Sequence, residues 1–219
     1  MKSDPKPEKP QLQFEKSLRE RGFKQICGLD EAGRGAWAGP LVCAAVILKS
    51  KGIFGLDDSK RLSPSEREKL FEKVRQNSIA FSWAICEVEQ INAHGIQTAT
   101  YLAFLQAIQE LKKSPDHLLV DHYKLPGTSI PQISITFGDQ ISQSIAAASI
   151  VAKVIRDRKM SQYNRLKKYS QYNFGQNFGY GTKEHKRIIF KVGLSDQHRL
   201  KFCRKIVTLN QQTNLFGPI

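Results

Sequence analysis

The sequence predicts an α/β domain in which a mixed central sheet is flanked by helices and followed by a basic helical portion. Three observations lead to this prediction: strand-like runs near the start of the chain, strands that alternate with helical patterns further on, and basic residues concentrated towards the end. The 219 residues, 40% of them hydrophobic, suffice for a substantial core. No apolar run reaches the length of a membrane span and no apolar signal region follows Met1, so we expect a cytoplasmic protein.

The first half of the chain is predicted to contain a polar extension, three strands and a helix. Residues 1–22 include three prolines, which favours a loose extension that ends in a short helix. Strands are predicted over 25–31, 41–48 and 79–88. The second of these strands is apolar on both faces, as central strands are. Ser63, Pro64 and Glu66 form a capping box, which predicts a helix that ends near residue 76.

The second half is predicted to alternate helices with short strands. The predicted helices span 88–113, 140–168, 184–192 and 195–209, the short strands span 117–121 and 132–137, and a loop covers 170–185. We therefore expect an extension over 1–22, a main domain over 23–190, and a C-terminal helical portion with a tail over 191–219.

Basic residues are distributed unevenly along the chain, which has a net charge of +14. Residues 1–150 carry 19 basic and 17 acidic side chains, whereas residues 151–205 carry 15 basic and 3 acidic ones. Such a concentration indicates a polyanionic partner, and nucleic acid is the first candidate. An anionic membrane surface is the alternative, but no segment pairs this charge with a broad apolar face.

Four acidic residues follow or end three of the predicted strands: Asp30, Glu31, Asp121 and Asp139. Open α/β sheets build their sites at strand ends, and clustered carboxylates need neutralising charge. Two divalent cations would supply that charge and the arrangement for phosphodiester cleavage. Turn formation, or helix capping by Asp139, is the alternative interpretation. In addition, adjacent strand residues such as Asp30 and Glu31 point to opposite faces unless the strand end is distorted.

Several motifs, taken together, resemble one known family. Residues 28–35 read G-L-D-E-A-G-R-G and are followed by G-P-L-V at 39–42, and this pair resembles the N-terminal motif of type 2 ribonucleases H (RNase HII). The segments D-D-S-K at 57–60, the run 138–158 and G-Y-G-T at 179–182 are similar to further motifs of that family, in the same order. The resemblance covers about residues 24–205, and an ordered set of long motifs is far more specific than a single one.

The resemblance implies a ribonuclease H-like fold, with the catalytic domain over 23–190. It implies hydrolysis of RNA in RNA–DNA hybrids and cleavage on the 5′ side of a ribonucleotide at RNA–DNA junctions, including a single ribonucleotide in duplex DNA. It assigns catalysis and the binding of two divalent cations, Mn²⁺ or Mg²⁺, to Asp30, Glu31, Asp121 and Asp139. It assigns recognition of the ribose 2′-hydroxyl and the junction to Gly33, Arg34, Gly35 and Tyr180.

Further substrate contacts are expected from polar residues within these motifs. Ser149 and Lys153 share a face of the long helix with Arg156, and we expect the first two to contact phosphate rather than form an ordinary solvated surface. Lys60 is also interpreted as a phosphate contact, with a plain loop lysine as the alternative. Thr182 belongs to the motif of Tyr180, whose ring suits stacking on a sugar or base. For His185 a surface or packing role is favoured, and no histidine has a recognisable partner.

Two positions depart from the pattern of the family. His122 and Tyr123 follow Asp121, where family members usually have glycine, and this puts one wall of the site and the role of Asp121 in doubt. Phe137 stands before Gly138 and Asp139, where a basic residue is common, so a nearby cation is missing.

The alternative to an enzyme is a non-catalytic nucleic-acid-binding protein on the same fold, but the four intact acids argue against it. RNase HIII is a third interpretation, and the 23 residues before the first strand leave no room for its extra N-terminal domain. We expect a monomer that binds RNA–DNA hybrids and ribonucleotide-containing DNA. Gln212, Leu215 and Phe216 resemble the Q-x-x-L-F peptide that docks on bacterial sliding clamps; the alternative is that the two apolar residues fold back onto the protein.

Overall fold

A computed structural model describes residues 9–215, with the side chains of residues 207 and 209–215 left out of the description. The helices in this range are α1 (Gln13–Glu20), α2 (Pro64–Asn77), α3 (Val88–His94), α4 (Ile96–Gln109), α5 (Gln143–Arg165), α6 (Phe174–Asn177), α7 (Lys183–Val192) and α8 (Leu200–Leu215). The strands are β1 (Ile26–Ala32), β2 (Leu41–Leu48), β3 (Ser78–Cys86), β4 (His117–Asp121) and β5 (Gln132–Ile135). Among residues 9–215, no helix has the length and apolar character that crossing a membrane requires.

The strands form one mixed sheet in the order β3-β2-β1-β4-β5. Strand β1 is antiparallel to β2 and parallel to β4, and β4 is parallel to β5. The predicted α/β class with a mixed sheet is therefore confirmed. Because β1, β4 and β5 run in the same direction, their carboxyl ends lie at one edge of the sheet, where such folds place their sites.

The centre of the sheet is fully covered. All eight residues of β2 are buried, as their continuous apolar run predicts. The start of α5 lies directly on β1 at Gly28, where a Cβ atom would stand 2.1 Å from the carbonyl carbon of Ser144. Only glycine allows this approach, and it brings the beginning of α5 close to the strand that ends in the acidic pair.

Several helix boundaries differ from the prediction. The helix predicted over 88–113 is interrupted at Gly95, whose φ of +80° favours glycine, so that α3 and α4 are separate. The helix predicted over 140–168 is shorter: a 3₁₀ turn at Gly138–Gln140 precedes it. The loop predicted over 170–185 contains α6 and part of a second 3₁₀ helix, Lys167–Tyr172.

The polar extension is docked on the core rather than loose. Helix α1 buries Leu18 against the apolar cluster that contains Ile26 and Ile145. Glu15 is fully buried, and one of its carboxylate oxygens accepts hydrogen bonds from the Ser142 hydroxyl and the Ser144 N–H, at 2.7 and 2.8 Å. The short helix predicted at the end of the extension is present as α1, but it is packed on the core rather than loose. A glutamate of ordinary helical spacing carries no sequence signal for such a contact.

The chain divides into two compact units that do not follow chain order. The first unit comprises the chain up to Ala32 together with Val42–Ile85 and Thr100–Ile155. The second unit comprises Gly33–Leu41, Cys86–Ala99 and the chain from Arg156 onwards. The boundary at residue 190 that the sequence suggested remains a prediction.

Candidate active site

Four carboxylates stand at the shared edge of the sheet in the first unit. Asp30 and Glu31 lie near the end of β1, and Asp121 is the last residue of β4. Asp139 lies in the 3₁₀ turn that follows β5. The parallel register, in which Leu29 pairs with Val120, places the ends of β1 and β4 side by side. The structure thus brings together the four residues that the sequence singled out.

The environment of these acids disfavours their charged form. Asp30 and Asp139 are 5% and 3% exposed. Burial, and then repulsion from the three other carboxylates, raises the pKa of Asp30 well above its usual value. Burial also raises the pKa of Asp121 and of Asp139. Several carboxylates clustered in a partly desolvated environment are typical of a site that binds cations.

Each carboxylate is also held by a hydrogen bond from the protein, and for Asp30 the donor is the Glu31 N–H, at 2.7 Å from Oδ1. The Gly138 N–H donates to Oδ1 of Asp121 at 2.7 Å, which ties the end of β4 to the turn of Asp139. The Tyr123 hydroxyl donates to Oε1 of Glu31 at 2.9 Å. The Lys60 ammonium lies 3.4 Å from Oδ2 of Asp139. These contacts fix the directions of the acids.

Two residues of this site were missed by the sequence analysis. Tyr123 was noted only as a departure from the family, yet it orients Glu31. Asp58 is buried near Asp139. The pKa of Asp139 is raised first by its own burial and lowered by the charge of Lys60, and the carboxylate of Asp58 then raises it further. The D-D-S-K motif carried the signal for Asp58, whereas nothing in the sequence pointed from Tyr123 to a carboxylate.

The two departures from the family pattern both have left-handed backbones. His122 has a φ of +70° and Phe137 a φ of +57°, in positions that follow β4 and β5. Such a φ explains why glycine suits the position after Asp121, because a side chain there strains the backbone. Asp121 is nevertheless in place, with its carboxylate bonded to Gly138, so the histidine has not displaced it.

The donor set of the site fits a hard divalent cation. Carboxylate oxygens are the preferred ligands of Mg²⁺ and also suit Mn²⁺. Among residues 9–215, no three His, Cys, Asp or Glu side chains already surround a single metal position.

The expected phosphate contacts of the first unit differ in exposure. The side chain of Lys60 is 77% exposed, and Lys153 is half-buried. Ser149 is buried, and its hydroxyl lies 2.7 Å from that of Ser59, next to Lys60 in sequence. Ser149 thus holds the loop of Lys60 rather than facing solvent. The helix face that was predicted to be polar and accessible is largely covered, because Arg156 is also fully buried.

In the second unit, the glycine-rich segment after the acidic pair is held by Arg199. Its guanidinium donates to the carbonyl oxygens of Gly33, Arg34 and Gly39, at 2.7 to 3.0 Å. Burial, and then the charge of Arg156, lowers the pKa of Arg199 to about 9. A basic residue near a helix start carried no sequence signal for this role, so Arg199 was missed.

The buried Arg156 supports the same segment from another side. It donates to the carbonyl oxygens of Pro40 and Ala38, at 2.9 and 3.2 Å. At Gly33, where φ is +90°, a Cβ atom would stand 1.9 Å from the Arg156 Nε. At Gly35 a Cβ atom would meet nothing within 4 Å. Packing therefore explains Gly33, whereas packing within the protein does not explain Gly35.

Tyr180 and Thr182 follow α6 in the second unit. Tyr180 is 36% exposed, and its ring lies 5.2 Å from the Arg156 guanidinium. The N–H groups of Trp37 and Ala38 both donate to the Gly179 carbonyl. The loop of residues 179–182, called the tyrosine loop below, is therefore bonded to the glycine-rich segment. Thr182 caps α7 by accepting a hydrogen bond from the His185 N–H. The expected group Gly33, Arg34, Gly35, Tyr180 and Thr182 thus belongs to one unit.

The predicted clamp peptide lies outside the described side chains. Gln212 and Leu215 fall in the last turns of α8, where only the backbone is described, and Phe216 lies beyond residue 215.

Comparisons with known proteins agree with the motifs. A family model described as Ribonuclease HII matches residues 27–205. A ribonuclease HII from Caldicellulosiruptor bescii is 46% identical over 199 residues, which cover 90% of this chain and 96% of that protein. Among solved structures, the ribonuclease H2 from Pyrococcus horikoshii OT3 is similar with a TM-score of 0.71 at 24% identity, covering 87% of this chain and 100% of that one.

Two further structures share the fold. The ribonuclease HII in a complex with PCNA from Archaeoglobus fulgidus has a TM-score of 0.68 at 24% identity, covering 89% of this chain and 98% of that one. Bst-RNase HIII in complex with Mn²⁺ has a TM-score of 0.65 at 17% identity, covering 90% of this chain and 73% of that one. At these identities the similarity establishes the ribonuclease H-like fold.

Proposed function

This chain belongs to the ribonuclease HII family, and on that basis we propose which substrate it selects and which of its residues act. As a member of the family it is a metal-dependent ribonuclease that hydrolyses RNA in RNA–DNA hybrids. The finer proposal is cleavage on the 5′ side of a ribonucleotide at an RNA–DNA junction, including a single ribonucleotide in duplex DNA. The observation that best supports this reaction is the cluster of four carboxylates at one edge of the sheet.

The cluster is proposed to hold two divalent cations, Mg²⁺ or Mn²⁺, through Asp30, Glu31, Asp121 and Asp139. When bound, such cations activate water and stabilise the departing oxygen in phosphodiester cleavage. The protein contributes by keeping the acids together although their pKa values are raised. Lys60 offsets part of the repulsion, because its ammonium lies against Asp139.

Phosphate contacts are proposed for Lys60 and Lys153. The side chain of Lys60 is exposed and lies beside Asp139. The phosphodiester to be cleaved must lie next to the carboxylates, and therefore within reach of this ammonium group. Ser149 supports this contact through its hydrogen bond to Ser59. The basic surplus of residues 151–205 supplies the less specific attraction to the duplex, and binding should therefore weaken steeply with salt.

Recognition of the ribonucleotide is proposed for Gly33, Arg34, Gly35 and Tyr180. Backbone groups of a rigid glycine-rich segment read a 2′-hydroxyl by geometry, and the buried Arg156 and Arg199 give this segment its rigidity. The open space at Gly35 suits close approach of the substrate backbone. The partly exposed ring of Tyr180 suits stacking on the sugar or base.

The tail is proposed to bind a sliding clamp through Gln212, Leu215 and Phe216. The ribonuclease HII of Archaeoglobus fulgidus forms a complex with PCNA, which supports a clamp as a partner for enzymes of this fold. Tethering of this kind raises the local concentration of an enzyme that searches new DNA. Titration of a bacterial clamp with the wild type and with a Leu215→Ala, Phe216→Ala variant tests the proposal; equal binding by both proteins rejects it.

The experiment that tests the nuclease proposal uses a DNA duplex with one ribonucleotide, a full hybrid and an all-DNA duplex. Wild type and Asp30→Asn are compared with Mg²⁺, with Mn²⁺ and with EDTA, and products are mapped to the nucleotide. We expect metal-dependent incision on the 5′ side of the ribonucleotide by the wild type alone. Cleavage in EDTA, incision at another position or wild-type activity in Asp30→Asn contradicts the assignment. The exposed Asp196, changed to Asn, is the matched control and should cleave normally.

A further inference from the structure

Two buried histidines in the second unit contact each other beneath the tyrosine loop. His185 is 0% exposed and His198 is 1% exposed, and their Nε2 atoms lie 3.1 Å apart. The rings of Tyr172 and Phe174 stand within 6 Å of the ring of His198, so the contact is shielded by aromatic side chains. Neither histidine belongs to the acid cluster or to the substrate contacts proposed above.

The hydrogen-bond partners determine which nitrogen carries each proton. The Ser195 N–H donates to Nδ1 of His198 at 2.9 Å, so this nitrogen is unprotonated and the proton of His198 is on Nε2. At the other end, Nδ1 of His185 lies 2.9 Å from the carbonyl oxygen of Tyr180, which only accepts. The proton of His185 is therefore on Nδ1, and its Nε2 accepts the hydrogen bond from His198.

The bonds thus form one directed chain from Ser195 through His198 and His185 to the Tyr180 carbonyl. Both imidazoles are neutral: a proton added to Nε2 of His185 would face the Nε2–H of His198 at 3.1 Å, and a proton added to Nδ1 of His198 would face the Ser195 N–H at 2.9 Å. Burial lowers the pKa of His185, and burial followed by the neighbouring His185 lowers that of His198 to about 4, in agreement with neutral rings. A directed chain of this kind is worth more than its separate bonds.

The end of the chain is the backbone of the residue proposed to read the ribonucleotide. The Tyr180 carbonyl also accepts a hydrogen bond from the Thr182 N–H at 2.8 Å, so both of its lone pairs are used. The Tyr180 N–H donates to the Asn177 carbonyl, also at 2.8 Å. Because both its N–H and its carbonyl are hydrogen-bonded, the backbone of Tyr180 is held in one orientation. The Cα position from which the ring extends is therefore fixed.

We propose that His185 and His198 are positioning residues for Tyr180, and that their directed hydrogen-bond chain sets how well the enzyme distinguishes a single ribonucleotide in DNA from a continuous hybrid. The proposal rests on the role of Tyr180 given under the proposed function. General affinity for duplexes depends on the basic surface and should be unaffected, because both rings are buried and hydrogen-bond to each other and to backbone groups.

Two substitutions at His185 separate the hydrogen bond from the bulk of the ring. In His185→Asn the side-chain amide can still donate to the Tyr180 carbonyl, in the place of Nδ1–H, whereas His185→Leu has no donor. The ratio of kcat/KM for the single-ribonucleotide duplex to that for the hybrid should fall about tenfold in His185→Leu and largely recover in His185→Asn. His94→Leu, at an exposed position of α3, is the matched control and should leave the ratio unchanged.

The decisive observation is the protonation of the rings in the full-length protein, read from long-range ¹H–¹⁵N NMR spectra at pH 7. The expected result is Nδ1–H for His185 and Nε2–H for His198, and His185→Leu should stay folded by circular dichroism when its ratio falls. The opposite tautomer, a charged imidazolium, or an unchanged ratio in folded His185→Leu overturns the proposal. Tyr180→Ala, measured beside it, tells the two ideas apart: if Tyr180→Ala keeps the wild-type ratio, the proposed role of Tyr180 fails, whereas loss in Tyr180→Ala alone rejects only the histidine pair.

Discussion

The two compact units both bury ionisable side chains, but they satisfy them in different ways. In the first unit, Asp30 is surrounded by other carboxylates, and its pKa is raised. In the second unit, Arg199 and the pair His185 and His198 have lowered pKa values, and their nitrogens are bonded to backbone groups or to each other. Burial disfavours the charge in both cases. Asp30 accepts one hydrogen bond, from the Glu31 N–H, but remains among like charges, whereas the nitrogens of the second-unit groups are bonded to backbone groups or to each other.

The difference teaches which buried charges serve the reaction and which serve the fold. A cluster of like charges that is only partly compensated, here by Lys60, is stabilised further when an exchangeable cation neutralises it, so the acids are placed for metal binding. A buried base whose donors all reach carbonyl oxygens needs no ligand. It acts as a rigid support, here for the segment that contains Gly33 and Gly35.

The largest effect is expected from the acid cluster. Asp139→Asn should lower kcat by at least ~10³-fold, because the interaction lost is made mainly in the transition state. Binding of the hybrid should change little. The measurement is single-turnover cleavage with saturating enzyme. Asp196→Asn, an exposed acid of the second unit that pairs with Lys168, should cleave at the wild-type rate. A comparable loss in both variants would mean that the burial of Asp139 is irrelevant to its role.

The two glycines of the substrate segment should respond differently to alanine. Gly33→Ala forces a Cβ onto Arg156 at a φ of +90°, and we expect a loss of about 3 kcal/mol in the free energy of unfolding. Gly35→Ala fits the free protein and should leave stability within about 0.5 kcal/mol, while KM rises because the substrate approaches there. Urea unfolding and steady-state kinetics measure the two effects. Equal destabilisation by both changes contradicts the description of this segment.

The histidine pair should make the second unit sensitive to acid. A lowered pKa means that the unfolded chain binds a proton more readily, so this stability is present above pH 6.5 and is lost as pH falls towards about 4. The loss for His198 is on the order of 3 kcal/mol across that range. Urea unfolding of the metal-free protein between pH 7 and pH 4 measures it, with His198→Phe as the comparison. An identical pH dependence in the variant is evidence against neutral imidazoles.

Lys60 should have opposite effects on metal and on nucleic acid. Lys60→Met removes the ammonium beside Asp139, so the concentration of Mn²⁺ at half-maximal activity should fall, by about threefold to tenfold. At the same time KM for the hybrid should rise, because a phosphate contact is lost. Activity measured against both concentrations separates the effects. If the two values move in the same direction, Lys60 does not stand between the cations and the substrate.

The smallest effect is expected at His122. Its φ of +70° is a strain that glycine relieves, and the greater freedom of glycine in the unfolded chain offsets part of the gain. His122→Gly should therefore change the free energy of unfolding by no more than about 1 kcal/mol, in the stabilising direction. Thermal unfolding of the metal-free protein checks this. A clear destabilisation would show that the side chain of His122 packs in a way that matters for β4.

Much of the fold and of the acid cluster was predictable because the signals are local. The apolar run of β2 and the capping box at Ser63 determine their elements from neighbouring residues alone. Glu15, Tyr123 and Arg199 were not predictable in the same way, since each acts on residues about 90 or more positions distant in the chain. The break between α3 and α4 at Gly95 was missed because the apolar pattern continues through it. The helix ends there because Gly95 adopts a positive φ, which the apolar pattern does not reveal.

Thermal unfolding of wild type and Asp30→Asn, each in EDTA and in Mn²⁺, tests most directly whether the acids are kept for an exchangeable cation. Without metal, Asp30→Asn should be as stable as the wild type or more stable, because a repelled and desolvated carboxylate has been removed. Mn²⁺ should raise the melting temperature of the wild type and have a much smaller effect on the variant. A lower stability of metal-free Asp30→Asn, or an equal rise with Mn²⁺ in both proteins, would contradict this account of the active site.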